Sequence, residues 1–257
     1  MLELGLPLSG ALLALAAGSH TGEAFHVTGV EAILKMAHLG ADDLQCPPDL
    51  PMNRSAMFEA VRCGERPRPV YMNCSGKHAA MLLTSTRNHW PTNSYLDAAH
   101  PLQQHIRSTI QRLAAEDISM LATDGCGAPL YGVSPYGLCV AFQQMVRSPA
   151  GSYERQVADA IRTYPAWASG DGELDTSLMA ALPGLLVKSG AEGVLAFAHE
   201  SGAAGAVKVQ DGSSRPLGPV AVAVLAALGL GNTALQGMRA TPVSGGSQVV
   251  GHVEAAI

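Results

Sequence analysis

Apolar and polar positions follow two different periods in the two parts of this chain. Through the middle, apolar residues recur every three or four positions, the spacing that puts side chains on one face of a helix. Val30, Ile33, Leu34 and Ala37 make one such stripe, and Gly40 follows as a residue able to close a helix, so a helix is predicted over 27–39. A second helix is predicted over 54–62. Leu102, Ile106, Ile110 and Leu113 form a third stripe behind Pro101, whose missing N–H costs nothing in a first helical turn. Ser134 before Pro135 is a start signal of the same kind, for a helix reaching residue 147.

After Pro183 the period shortens. The runs 185–188, 193–199 and 204–210 are short, apolar or alternating, and separated by glycines, as strands of an antiparallel sheet would be. Asp211-Gly212 ends the third run as a turn, and Pro219 opens an apolar segment to Leu228 that suits a helix packed on the sheet. Residues 249–253 add one more predicted strand. No internal repeat, low-complexity tract or long linker interrupts the chain. It reads as one α+β domain over 1–257, with a helical region over 27–165 and a sheet-rich part over 183–257.

Composition narrows the partners. With 47% apolar residues over 257 positions the chain can bury a large core, and the low 14% of charged residues does not signal disorder, because the apolar segments are short and punctuated. The net charge of −5 comes without any lysine–arginine block, so there is no electrostatic footprint for nucleic acid or an anionic membrane, and a small-molecule partner is expected. No run reaches the roughly 18 to 20 apolar residues needed to span a bilayer. The apolar stretch from Leu8 to Gly18 follows Glu3 and no positive charge, which does not fit a signal peptide. Cys46, Cys63, Cys74, Cys126 and Cys139 are odd in number and widely spaced, so reduced, cytoplasmic thiols are expected rather than a disulfide framework.

Four short segments concentrate chemistry. Cys74-Ser75-Gly76-Lys77-His78 places a thiol, a hydroxyl, an amine and an imidazole where a loop enters a helix predicted over 79–84. A helix N-terminus lowers a thiol pKa, which suits Cys74 to become a metal-binding thiolate; a glycine turn around a buried structural cysteine accounts for the same residues. Neither C-x-x-C nor a zinc-type histidine spacing accompanies it, so spacing alone defines no metal site. Asp124-Gly125-Cys126-Gly127-Ala128-Pro129 holds a carboxylate beside a thiol in backbone that turns tightly or approaches a ligand, although Asp-Gly is also a common turn. Ser19-His20-Thr21-Gly22-Glu23 gathers hydroxyl, imidazole and carboxylate at the end of the first helical stretch, as ordinary helix termination also does. Lys188-Ser189-Gly190 ends an apolar strand and resembles the K-T-G strand of penicillin-recognising serine enzymes. Its lysine acts as a base only if desolvated or set near other cations.

In their order and spacing these segments, with Cys46-Pro47-Pro48, Val207 to Gly212 and the closing Val249-Val250-Gly251, resemble the rhizobial-type (class 3) L-asparaginase family along nearly the whole chain. The resemblance implies a serine beta-lactamase/glutaminase-like fold, an antiparallel sheet flanked by helices with an added helical region. It implies zinc held by Cys74, Lys77 and Cys126 with water completing the tetrahedron, and a Ser-Lys unit formed by Ser19 and Lys188. Asp124 joins these as an acidic residue of the catalytic centre, and His78, Ser75 and Glu23 fall on the substrate side. A lysine ligand must be neutral, so a bound metal would depress its pKa strongly. The implied reaction is hydrolysis of L-asparagine to aspartate and ammonia by a cytoplasmic homodimer.

The family's other Ser-Lys unit, an S-x-x-K whose serine is its favoured nucleophile, occurs nowhere in this chain. Met1-Leu2-Glu3-Leu4-Gly5 resembles the tail of the helix that carries it, so the motif and the first strands of the sheet are expected upstream. A form extended through that motif is accordingly expected to hydrolyse asparagine faster than the chain as given. Two other functions compete: a weakly active or inactive zinc-binding homologue, and a penicillin-recognising serine hydrolase, against which the missing S-x-x-K and the cysteine-centred motifs count.

Overall fold

The structure, a computed structural model, describes residues 1–256. Its first helices are α1 (Gly10–Ala16), α2 (Ala24–Met36), α3 (Arg54–Arg62) and α4 (Ser75–Arg87). The stripe predicted over 27–39 lies on α2, shifted one turn toward the N-terminus. Its start is set by the Glu23 amide, which donates to His26 Nδ1 (3.2 Å), and its end by His38, which takes a left-handed conformation at φ 57° ahead of Gly40. α3 matches its predicted span.

The helix expected over 79–84 is far longer, because Ser75 to His78 form its first turn rather than a loop. Its polar C-terminal half conceals this. Thr84 and Ser85 are fully buried, and their hydroxyls are satisfied within the helix by the carbonyls of Ala80 (2.8 Å) and Met81 (2.9 Å).

The chain continues through α5 (Pro101–Ala114), the hairpin β1 (Met120–Thr123) and β2 (Pro129–Gly132), then α6 (Pro135–Arg147). Both helices begin with the expected proline. His100 caps α5 through the Leu102 amide, and Ser134 caps α6 by accepting from the Gly137 amide at 2.9 Å. Three helices that the pattern did not mark follow: α7 (Tyr153–Thr163), α8 (Pro165–Ala168) and α9 (Leu174–Ala181).

The strand-rich end forms as expected in type. β3 (Leu185–Gly190), β4 (Val194–His199) and β5 (Ala204–Lys208) make an antiparallel sheet in sequential order. Leu185, Leu186 and Val187, and Leu195 through Ala198, are buried without alternation, so both faces of this sheet are covered. α6 packs on β4 and β5, while α7 and α9 meet β3. α10 (Leu217–Ala227) covers β5 and the last hairpin, β6 (Ala240–Gly245) with β7 (Gln248–Glu254). The strand predicted over 249–253 therefore pairs with β6 in a separate hairpin and does not extend the sheet. The fold is α+β, and one apolar cluster runs through it from Leu6 to Leu235.

Two glycines set the close approaches on which the site depends. A Cβ on Gly76 would lie 2.7 Å from the Leu15 carbonyl oxygen, so the first turn of α4 rests directly on the end of α1. A Cβ on Gly18 would collide with the Ala168 carbonyl, so the chain leaving α1 runs against the end of α8.

Candidate active site

The turn after α1 is held from several sides. The Ser19 amide donates to Ala168 O and the His20 amide to Asn73 O, both at 2.9 Å, and the Asn53 amide donates to Thr21 O at 2.9 Å. His20 Nδ1 accepts from the Gly22 amide, while its Nε2 lies 2.9 Å from Ser75 Oγ. Ser75 Oγ already donates to Val70 O, so His20 Nε2 carries the proton in that pair. Burial drives His20 down to about 3, with the stacked His26 adding to the effect. His20 is thus a neutral clamp. It leaves Ser19, half-buried, beside the Cys74 sulfur.

Cys74 occupies the N-cap of α4, and Asp124 and Cys126 sit on the turn between β1 and β2. Ligating atoms of these three residues lie within 4.8 Å of one another. The Cys126 thiol donates to Asp124 Oδ2 at 3.0 Å and also faces Cys74. Bonding from Cys126, helped by Lys77 and Ser19 against the effect of burial, brings Cys74 down to about 6. Cys126 rises to about 12 because its proton is held by Cys74 and because it is buried. Lys77 Nζ stands 3.6 Å from Asp124 Oδ2. Burial works against its charge, but the thiols and Asp124 outweigh it and raise its pKa. Asp124 is lowered in turn, since its bonds to Cys126 and the Lys77 charge overcome its burial.

Lys188 comes from the third strand. Paired with Ala196 in the sheet, it donates to the Ser189 carbonyl and lines a cleft of about 330 Å³ together with Ser19 and Lys77. Met81 of α4 and Ile106 and Ile110 of α5 give the same cleft an apolar wall. Burial lowers the Lys188 pKa and the like charge of Lys77 adds to this, against the attraction of Asp175 and Cys74. The two lysines are thus pushed apart, Lys77 toward its charged form and Lys188 toward its neutral one.

The remaining sequence-predicted residues stand apart from the cleft. Ser75 and His78 are fully buried in α4, the first bonded to His20 and Val70 and the second to Tyr95. Glu23 caps α2 while its carboxylate accepts from Thr21 Oγ1 (2.7 Å) and the Asp171 amide (3.2 Å). Sequence reasoning missed Asp175. This buried carboxylate on α9 accepts from the Ser189 amide at 2.7 Å and from the Ser189 hydroxyl, so it pins the end of the strand that carries Lys188. Nothing near Asp175 in the sequence marks it, because its partner lies on another element.

A sheet enclosed by helices, with hydroxyl, amine and thiol groups converging where helix ends meet a strand, makes this an α+β protein with a candidate site at that junction. The family model described as L-asparaginase II matches residues 1–255, and the chain belongs to that family, one of asparaginase-type amidohydrolases. No curated protein matches the chain. No helix among the described residues is long and apolar enough to cross a membrane.

Proposed function

We propose that the protein is an L-asparaginase in which Ser19 is the nucleophile, Lys188 its base, and Cys74, Lys77 and Cys126 a zinc site with Asp124 beside it. The observation that carries this reading is the convergence of Ser19 and Lys188, from distant parts of the chain, on one cleft. A serine hydroxyl is almost wholly protonated at neutral pH, and a lysine pushed toward neutrality by burial can take its proton. Ser19 Oγ then attacks the side-chain amide carbon of asparagine as Lys188 receives the proton. Lys188 returns it to the departing nitrogen, ammonia leaves, and water hydrolyses the resulting ester to aspartate and free Ser19. Lys77 is held charged by its thiol and carboxylate neighbours, so to serve as a zinc ligand it would have to give up its proton, which the charge of a bound zinc would favour.

The donor set fits zinc. Two thiol sulfurs and a carboxylate gather within 4.8 Å with an amine 3.6 Å from that carboxylate, and soft sulfur with nitrogen suits this borderline ion. Bound there, zinc would supply positive charge that lowers the pKa of its ligands and organises the helix end beside Ser19. His78, Ser75 and Glu23 lie outside the cleft; Ser75 holds His20 and Glu23 holds Thr21, so these two support the turn around Ser19, and the working form in this reading is a cytoplasmic homodimer.

Ammonia release from asparagine and from glutamine, measured with elemental analysis on protein purified without chelator, tests the reading. Asparagine turnover with close to one zinc per chain, both lost together in Cys126→Ala, is the expected result. Zinc without turnover would leave a metal-binding homologue, and turnover unchanged in Ser19→Ala would remove the nucleophile assignment. Labelling of the protein by a beta-lactam would favour the penicillin-recognising alternative.

A further inference from the structure

His78 is fully buried in α4, and its two ring nitrogens have unlike surroundings. Nδ1 lies 2.7 Å from the hydroxyl oxygen of Tyr95, itself fully buried. That oxygen also receives the Gln45 amide at 2.9 Å, and an N–H group can only donate. Among the described residues the phenol proton therefore has His78 Nδ1 as its acceptor. In a neutral imidazole a nitrogen that accepts carries no hydrogen, so the proton resides on Nε2. Nε2 is buried with no hydrogen-bond partner among the described residues, and the His78 side chain adjoins the Cys126 thiol, whose pKa it acts to lower.

We propose that His78 is a positioning residue for Cys126: Tyr95 fixes its tautomer, and Nε2–H donates to the Cys126 sulfur, orienting that sulfur toward the metal. This assignment rests on the zinc reading above and moves His78 from the substrate side to the support of a ligand. A donor behind a coordinated sulfur stabilises its negative charge and restricts its direction, and losing such outer partners typically weakens metal binding about 10- to 100-fold. The buried ring has no solvent-facing atom with which to meet a substrate in the cleft.

The test compares wild type with His78→Leu, His78→Gln and Tyr95→Phe, each checked for folding by circular dichroism and urea denaturation. Zinc affinity is read by competition with a chromophoric chelator, and sulfur geometry by the thiolate-to-cobalt charge-transfer band of cobalt-substituted protein. His78→Leu is expected to weaken zinc about 10- to 100-fold and shift the cobalt band. His78→Gln, whose terminal amide can donate from a similar place, should keep both near wild type, and Tyr95→Phe should fall between. If His78→Leu does not fold, Tyr95→Phe decides: a folded variant with unchanged affinity and band overturns the role. Wild-type protein that binds no zinc overturns the zinc reading and this role together, whereas zinc-binding wild type with unaltered variants overturns the role alone.

Discussion

Ser19 and Lys188 illustrate how a side chain's role is decided by its neighbours rather than by its type. The two lysines of the cleft differ because Lys77 faces thiols and Asp124 while Lys188 faces burial and Lys77. Replacing Lys188 by methionine, similar in length but unable to accept a proton, is expected to lower the rate of ammonia release on the order of a thousandfold while zinc content stays unchanged. Steady-state assays with elemental analysis check this, and a fall of less than tenfold would reassign the base. His20 yields a second expectation. Its imidazole takes up a proton near 6.5 when unfolded but only near 3 when folded. The unfolded chain therefore binds the extra proton in that window, and the stability present above pH 6.5 is lost progressively as pH falls toward 3. The slope is about 1.4 kcal/mol per pH unit, so urea denaturation should show a loss of roughly 2 kcal/mol between about pH 6.5 and about pH 5 that His20→Asn reduces. Cys74 with Lys77 and Asp124 with Cys126 stand in dense local motifs, but that the two segments meet came from the family resemblance rather than from their spacing, and the structure gathers Cys74, Asp124 and Cys126 within reach of one ion. Asp175 and Tyr95 were not legible in the sequence, since each acts on a partner that only folding brings near.

Helix ends were legible where a side chain marks them. Ser134 and Pro135 open α6 in the sequence as they do in the structure. The extent of α4 was not, because Thr84 and Ser85 read as surface residues although their hydroxyls are satisfied inside the helix. Gly76 makes the contact between α4 and α1 a sharp test. Alanine would gain about 1 kcal/mol in helix propensity. Its Cβ, however, would lie 2.7 Å from the Leu15 carbonyl, and since backbone rather than a flexible side chain must yield, the expected net effect is destabilisation of about 1 to 3 kcal/mol. Because Ser19 follows α1 directly, Gly76→Ala should also lower turnover in protein that remains folded. Denaturation midpoints together with ammonia release separate these effects, and a more stable, fully active variant would contradict the close-approach argument.

Across the whole molecule, strand type was easier to read than strand partnership. The strand at 249–253 was recognisable, but its partner was not: it pairs with β6, and the resulting hairpin stays apart from the central sheet while α10 packs on both β5 and the hairpin. The central sheet is the common support for the site, and Phe197 at its middle is fully buried. Phe197→Ala is expected to cost about 3 to 5 kcal/mol by urea denaturation, and a cost under about 1 kcal/mol would mean the sheet is not the shared core. The turn around Ser19, anchored to α8, to the residue before Cys74 and to the start of α3, has a further consequence for molecular motion. Such a segment cannot open by itself, because freeing its Ser19 and His20 amides and its Thr21 carbonyl requires three neighbours to separate. Deuterium uptake at Ser19 and His20 should therefore track global unfolding in denaturant rather than the fast local fluctuations usual in loops, leaving the proposed nucleophile poised by the cooperativity of the entire fold.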